Sequence, residues 1–214
     1  MNTRIGGIAA LAVGVGYILI IPVFATVGAQ PTGDGEAWLK YMSGHTAQWW
    51  VILALSVVTD VLYIPAGLGL YTVLRGINQS AMLIALTLLA LFVALDLALT
   101  WPAYAALIGL SGDYASTSDA ARRAALSAAA DYPAALLASR LFAVYTIVTP
   151  GVGIGIIGGV MLRGIFDRAT AYLGLATAVF ALASLSGVAA TAIAAALLTT
   201  AWMLLAGYRM VRLA

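Results

Sequence analysis

The sequence predicts an all-α fold: a polytopic membrane bundle of about six transmembrane helices with a short outer interfacial helix. Three observations predict it. Apolar residues make up 64% of the 214 positions and charged residues only 8%, against about 25% charged in soluble domains. The apolar residues fall in runs of about 20 or more, the length a helix needs to cross a bilayer. The runs are continuous rather than alternating, and a helix satisfies its own backbone hydrogen bonds in lipid. The chain, 1–214, reads as a single transmembrane domain whose first partner is the lipid bilayer.

The first span covers 5–27 behind Arg4. A competing reading makes it a signal peptide, with Arg4 as the n-region and Val27, Gly28 and Ala29 as a cleavage site. Its apolar run exceeds the usual h-region of about 7–15 residues; cleavage would leave five spans. The Gly-rich outer segment 30–48 ends in Trp49 and Trp50, a pair suited to an interfacial aromatic anchor. The second span is 49–74 and the third 81–110, joined by a short turn at 76–80, so the two should be adjacent and antiparallel. In the outer segment 110–132, Ser118 is the expected N-cap and Asp119 suits a first turn. The interfacial helix is expected there, closed by Pro133. The fourth span is 136–162. The stretch 170–208 is too long for one span and divides at Ser184, Ser186 and Gly187 into 170–183 and 188–206.

Charges at the segment ends orient the bundle. Arg4, Arg75, Arg163, Arg168, Arg209 and Arg212 share one side with Asp167. The other side carries Lys40, Arg122, Arg123 and Arg140 with Asp34, Glu36, Asp113, Asp119 and Asp131. Basic residues favour the cytoplasm. The reading is therefore a multi-pass protein of the cytoplasmic membrane with both termini inside. The net charge of +2 follows from this topology, and no nucleic-acid partner is expected.

Two residues break the apolar pattern. At about 1.5 Å per residue, Asp60 lies about 16 Å from Trp49 and Asp96 about 21 Å from Leu110, both near mid-span. A carboxyl at that depth costs about 2.5–3.5 kcal/mol on insertion scales and faces protein or a water-filled cavity. On neighbouring helices the two could meet, and carboxyls sharing one apolar pocket would share a proton. Arg140, a few residues inside the fourth span, could reach inward to them or snorkel outward. Ser56, Asp60 and Tyr63 share one helix face, as do Asp96, Thr100 and Tyr104. Pro65 and Pro102 could kink the helices beside them. The candidate polar or ligand site is thus Asp60, Asp96, Arg140, Tyr63, Thr100 and Tyr104. The alternative is that the carboxyls only tie helices together.

Gly151, Gly155 and Gly159 form a GxxxGxxxG stripe for close helix packing, inside the bundle or in a homo-oligomer. Leu74-Arg75-Gly76-Ile77 recurs as Leu162-Arg163-Gly164-Ile165. The echo fits either parallel repeats or two similar basic membrane stops.

Several chemistries are set aside. Cysteine is absent and His45, in the first outer segment, is the single histidine, so bis-histidine haem, thiolate metals and cysteine nucleophiles lack their residues, and an intramembrane serine–histidine dyad lacks its histidine. Lys40, the only lysine, lies outside every span. No metal, cofactor or catalytic residue is expected, and the chain reads as a non-enzyme.

Arg4-Ile5-Gly6-Gly7-Ile8, the segment 61–78 (VLYIPAGLGLYTVLRGIN) and the segment 161–174 (MLRGIFDRATAYLG) together resemble a bacterial and archaeal multi-pass group catalogued only as a domain of unknown function. The similarity covers nearly the whole chain and implies a six-helix membrane protein with no known site residues. Two functions follow from the residues. The first is a membrane-embedded subunit or small-ligand sensor with an Asp/Asp/Arg cluster. The second is a small proton-linked transporter or permease using Asp60 and Asp96.

Overall fold

A computed structural model describes residues 3–213, and their regular structure is entirely helical. Helix α1, Thr3–Val27, runs the length of the molecule and ends at Gly28, whose φ of 69° suits a residue without a Cβ. Helix α2, Gly35–Ser43, is a short helix within the Gly-rich segment. The Asp34 carboxylate caps it by accepting from Ala37 N–H at 3.1 Å, and Glu36 pairs with Lys40 one turn on at 2.7 Å.

Helix α3, Thr46–Leu95, is continuous in hydrogen bonding but breaks at Asn78, with φ −153° and ψ 90°. Asn78 Oδ1 accepts from Ala81 N–H and restarts the helix. The two arms fold onto each other: a Cβ on Gly67 would sit 3.0 Å from Leu86 Cδ1. A π turn, Asp96–Thr100, leads into α4, Trp101–Ser116. Helix α5 is Ala120–Leu137. Helix α6, Arg140–Ala143, passes through a second π turn, Val144–Val148, into α7, Thr149–Met161. Helix α8, Arg168–Ala183, tightens into a 3₁₀ turn over Ser184–Ser186, and Gly187, with φ 79°, reverses the chain into α9, Ala189–Arg212.

Five of these helical stretches are long and apolar enough to cross a membrane: Thr3–Val27, Thr46–Ser116, Arg140–Met161, Arg168–Ser186 and Ala189–Arg212. Ile8, Val15, Val58, Ile84 and Ile193 are among the side chains they turn outward. This is the surface of helices that face lipid, and the arrangement is compatible with a multi-pass membrane protein.

The core has two parts. One fills the end of the bundle that carries both chain ends; Leu70, Leu74, Met82, Ile157, Trp202 and Met203 are fully buried there. Small residues allow the close approach. A Cβ on Gly6 of α1 would lie 2.5 Å from Gly69 Cα in α3. The other part lies at the opposite end, where α2 and α5 pack on α4 over Trp38, Leu39, Met42, Trp49 and Leu107. We call this the cap end. The cap is tied by Asp131 Oδ1 accepting from Gly35 N–H at 2.9 Å and by Tyr114 OH donating to Glu36 at 2.9 Å. The Lys40 ammonium on Glu36 holds that carboxyl below its ordinary range.

Several expectations change. Asp119, not Ser118, caps α5, by accepting from Ala121 N–H at 2.9 Å. Pro133 lies buried inside α5, so the helix runs past it to Leu137. Ser139 then caps a new helix through Phe142 N–H, which starts the fourth apolar helix at Arg140 rather than at 136. Trp49 is fully buried in the cap while Trp50 is half exposed, because consecutive helical residues point about 100° apart. The pair is therefore not a shared interfacial anchor.

Candidate functional site

Asp60 sits in the first arm of α3 and Asp96 opens the π turn after the second arm, so the Asn78 reversal brings them side by side. Both are nearly fully buried, and their carboxyls lie within direct electrostatic range of each other. Trp101 Nε1–H donates to Asp60 Oδ2 at 2.6 Å. Asp96 Oδ1 is buried with no amide or ring N–H placed on it, and the Asp96 carboxyl lies within hydrogen-bond reach of the Asp60 carboxyl and the Thr100 hydroxyl.

The backbone explains why the chain is irregular here. Pro102 has no N–H to offer, and one residue earlier Trp101 N–H reaches back five positions to Asp96 carbonyl instead of four. Pro150 repeats the device: Thr149 N–H reaches Val144 carbonyl. The two π turns are joined at their polar side chains, with Thr100 Oγ1 and Tyr145 OH 3.1 Å apart. Each proline thus follows a widened turn, and the pair of widened turns flanks the carboxyls.

These groups line a partly open cavity of about 350 Å³. Asp60, Asp96 and Thr100 lie on one wall, with Ser56 and Thr59 beside Asp60. Tyr17 and Phe24 of α1, and Phe142 and Thr146 after α5, form the facing side. Gln30 and Tyr104 lie at the cap end, where Tyr104 OH donates to Gln30 Oε1 at 3.1 Å. Tyr104 stacks on Trp49 with ring centroids 4.6 Å apart, which fixes this part of the wall to the cap core. Toward the chain ends lie Tyr63, Leu70 and Leu89 of the packed core.

The predicted residues divide accordingly. Asp60, Asp96, Thr100 and Tyr104 come together around the cavity. Tyr63 lies behind it, accepting from Tyr17 OH at 3.0 Å and facing a neighbouring groove of about 270 Å³ between α1, α7, α8 and α9. Arg140 does not join them. It is an exposed residue in the first turn of α6, and no ion pair connects it to either aspartate among the described residues. The four-residue shift of the helix start moved it out of reach. Tyr17, Gln30, Tyr145 and Thr146 complete the site without a signal in the sequence pattern.

Of the glycine stripe, Gly151 and Gly155 face α8, where added Cβ atoms would lie 2.9 and 2.8 Å from the Ala181 and Ala178 methyls. Gly158, not Gly159, continues this face against Ala171 carbonyl, while Gly159 meets open space. The face is occupied within the bundle by α8. His45 Nδ1 is bonded to Tyr41 carbonyl at 2.8 Å. No group of three or more acidic or imidazole side chains is arranged to hold a metal among the described residues.

No family model, curated protein or solved structure matches the chain.

Proposed function

We propose that this chain is a six-span integral membrane protein that holds a small ligand in a cavity reached from its cap end, as a sensor or binding subunit does. The two arms of α3 and its continuation into α4 supply two of the six spans, with α5 lying at the interface. Both termini are placed in the cytoplasm by the arginines on their side.

One observation carries the ligand reading. Asp60 and Asp96 line one partly open cavity together, with no basic residue beside them. Carboxyls at that depth are costly enough to face a partner or a cavity. The packed core toward the chain ends favours a one-sided pocket over a through path.

The absence of native cysteine permits a direct test. Methanethiosulfonates react with thiolates, which form where water reaches. Thr146→Cys, on the wall this cavity shares with the neighbouring groove, and Ser56→Cys, on the cavity alone, should both react with a trimethylammonium-ethyl methanethiosulfonate in membranes. Val58→Cys, on the apolar outer surface, should not. An unreactive Thr146→Cys would end the ligand-cavity reading.

A further inference from the structure

We infer that the occupant of this cavity is a small organic ammonium cation carrying an apolar group. The inference rests on the ligand-binding reading above and specifies its chemistry.

Charge is the first argument. Two carboxyls line the cavity, and no lysine, arginine or histidine does. Both aspartates lie away from bulk water, so an anion would meet like charge at low dielectric. Asp60 accepts from Trp101 through one oxygen, and no cationic side chain lies beside either carboxyl in the lining. An ammonium beside the pair would supply the positive charge that the lining lacks.

The walls give the second argument. Six aromatic residues, Tyr17, Phe24, Phe92, Trp101, Tyr104 and Phe142, surround the carboxyls. Aromatic faces attract organic cations, by about 2 kcal/mol or more when desolvated. A hard metal ion instead requires about six to eight oxygen ligands in a compact cage. A cavity of about 350 Å³ has room for an amine with a ring or short chain, rather than for an ion alone.

Equilibrium dialysis of the full-length protein in lipid nanodiscs against benzylamine, benzyl alcohol and benzoate tests this, since the three differ chiefly in charge. Benzylamine should bind saturably and at least tenfold more tightly than benzyl alcohol, and benzoate should not bind. Asp96→Asn, checked for wild-type elution and helical content, should weaken benzylamine at least tenfold and leave benzyl alcohol within twofold. Should Asp96→Asn misfold, Asp60→Asn takes its place with the same expectation. Benzyl alcohol or benzoate binding as tightly as benzylamine overturns the ammonium inference and leaves the ligand cavity standing. Absence of saturable benzylamine binding, while Thr146→Cys remains reactive, also overturns the ammonium inference alone. Loss of that reactivity removes the cavity and both readings together.

Discussion

Asp60 accepts one bond from Trp101. Trp101→Phe keeps an aromatic ring but deletes the Nε1–H that donates to Asp60 Oδ2, together with part of the indole that packs beside Tyr104. Side-chain hydrogen bonds in membranes contribute about 0.6–2 kcal/mol. The variant should lose stability in that range in thermal unfolding in detergent; an unchanged transition would remove this bond from the account. At this scale the sequence exposes charge and little else. Asp60 and Asp96 stand out because carboxyls are rare in apolar runs. Tyr17 and Gln30 do not, since their bonds reach partners 46 and 74 positions away and neutral polar residues mark no helix as special. Arg140 misled because its placement depended on a helix start, and Ser139 set that start four residues later than the apolar run suggested.

Helix contacts sharpen the glycine pattern into a paired prediction. Gly155→Leu would drive a side chain into Ala178 on α8, whereas Gly159→Leu enters open space. Overpacking costs about 1–3 kcal/mol or more. The first variant should be destabilised by that amount and the second by less than about 0.5 kcal/mol, as for ordinary surface changes. Equal effects would contradict the α7–α8 packing. The N-terminus of α8 gives a pH prediction. Asp167 accepts from Thr170 N–H at 2.8 Å, with Arg209 2.9 Å away, and the Thr170 N–H holds its carboxyl below its ordinary value. A lowered carboxyl contributes stability above its unfolded value and loses it as pH falls through the folded one. Asp167→Ala should therefore cost about 0.5–2 kcal/mol at neutral pH. The difference from wild type should shrink in unfolding experiments below about pH 4. A gap that persists or widens there would place the cap elsewhere. Helix identity was largely legible, since apolar runs and Gly187 are strong signals. The short α2 was not, because Pro31, Gly33 and Gly35 dilute a nine-residue helix whose start depends on the Asp34 cap. Pro102 and Pro150 announce irregularity, but only packing reveals paired π turns.

At the scale of the molecule, Asn78 decides the count. The run Thr46–Ser116 is one helical stretch by hydrogen bonding, and its reversal at Asn78 makes it two passes in the proposed topology. Six passes place both termini on one side. Reporter fusions at either end should give the same sidedness, and opposite results would require an odd number of spans. That the described chain ends lie together was legible from the charge pattern, because Arg4, Arg75, Arg163, Arg168, Arg209 and Arg212 gather on that side against Arg122, Arg123 and Arg140 on the other. The cavity was not legible, since it needs α1, both arms of α3, the start of α4 and the turn after α6 at once. Entry to it from the cap end is the central proposal. The sidedness of Thr146→Cys labelling in vesicles of known orientation tests it most directly. A membrane-impermeant methanethiosulfonate should modify the thiol from the side bearing α2 and α5 and not from the side bearing the termini. Labelling from the terminal side, from both sides or from neither would contradict a one-sided cavity around Asp60 and Asp96.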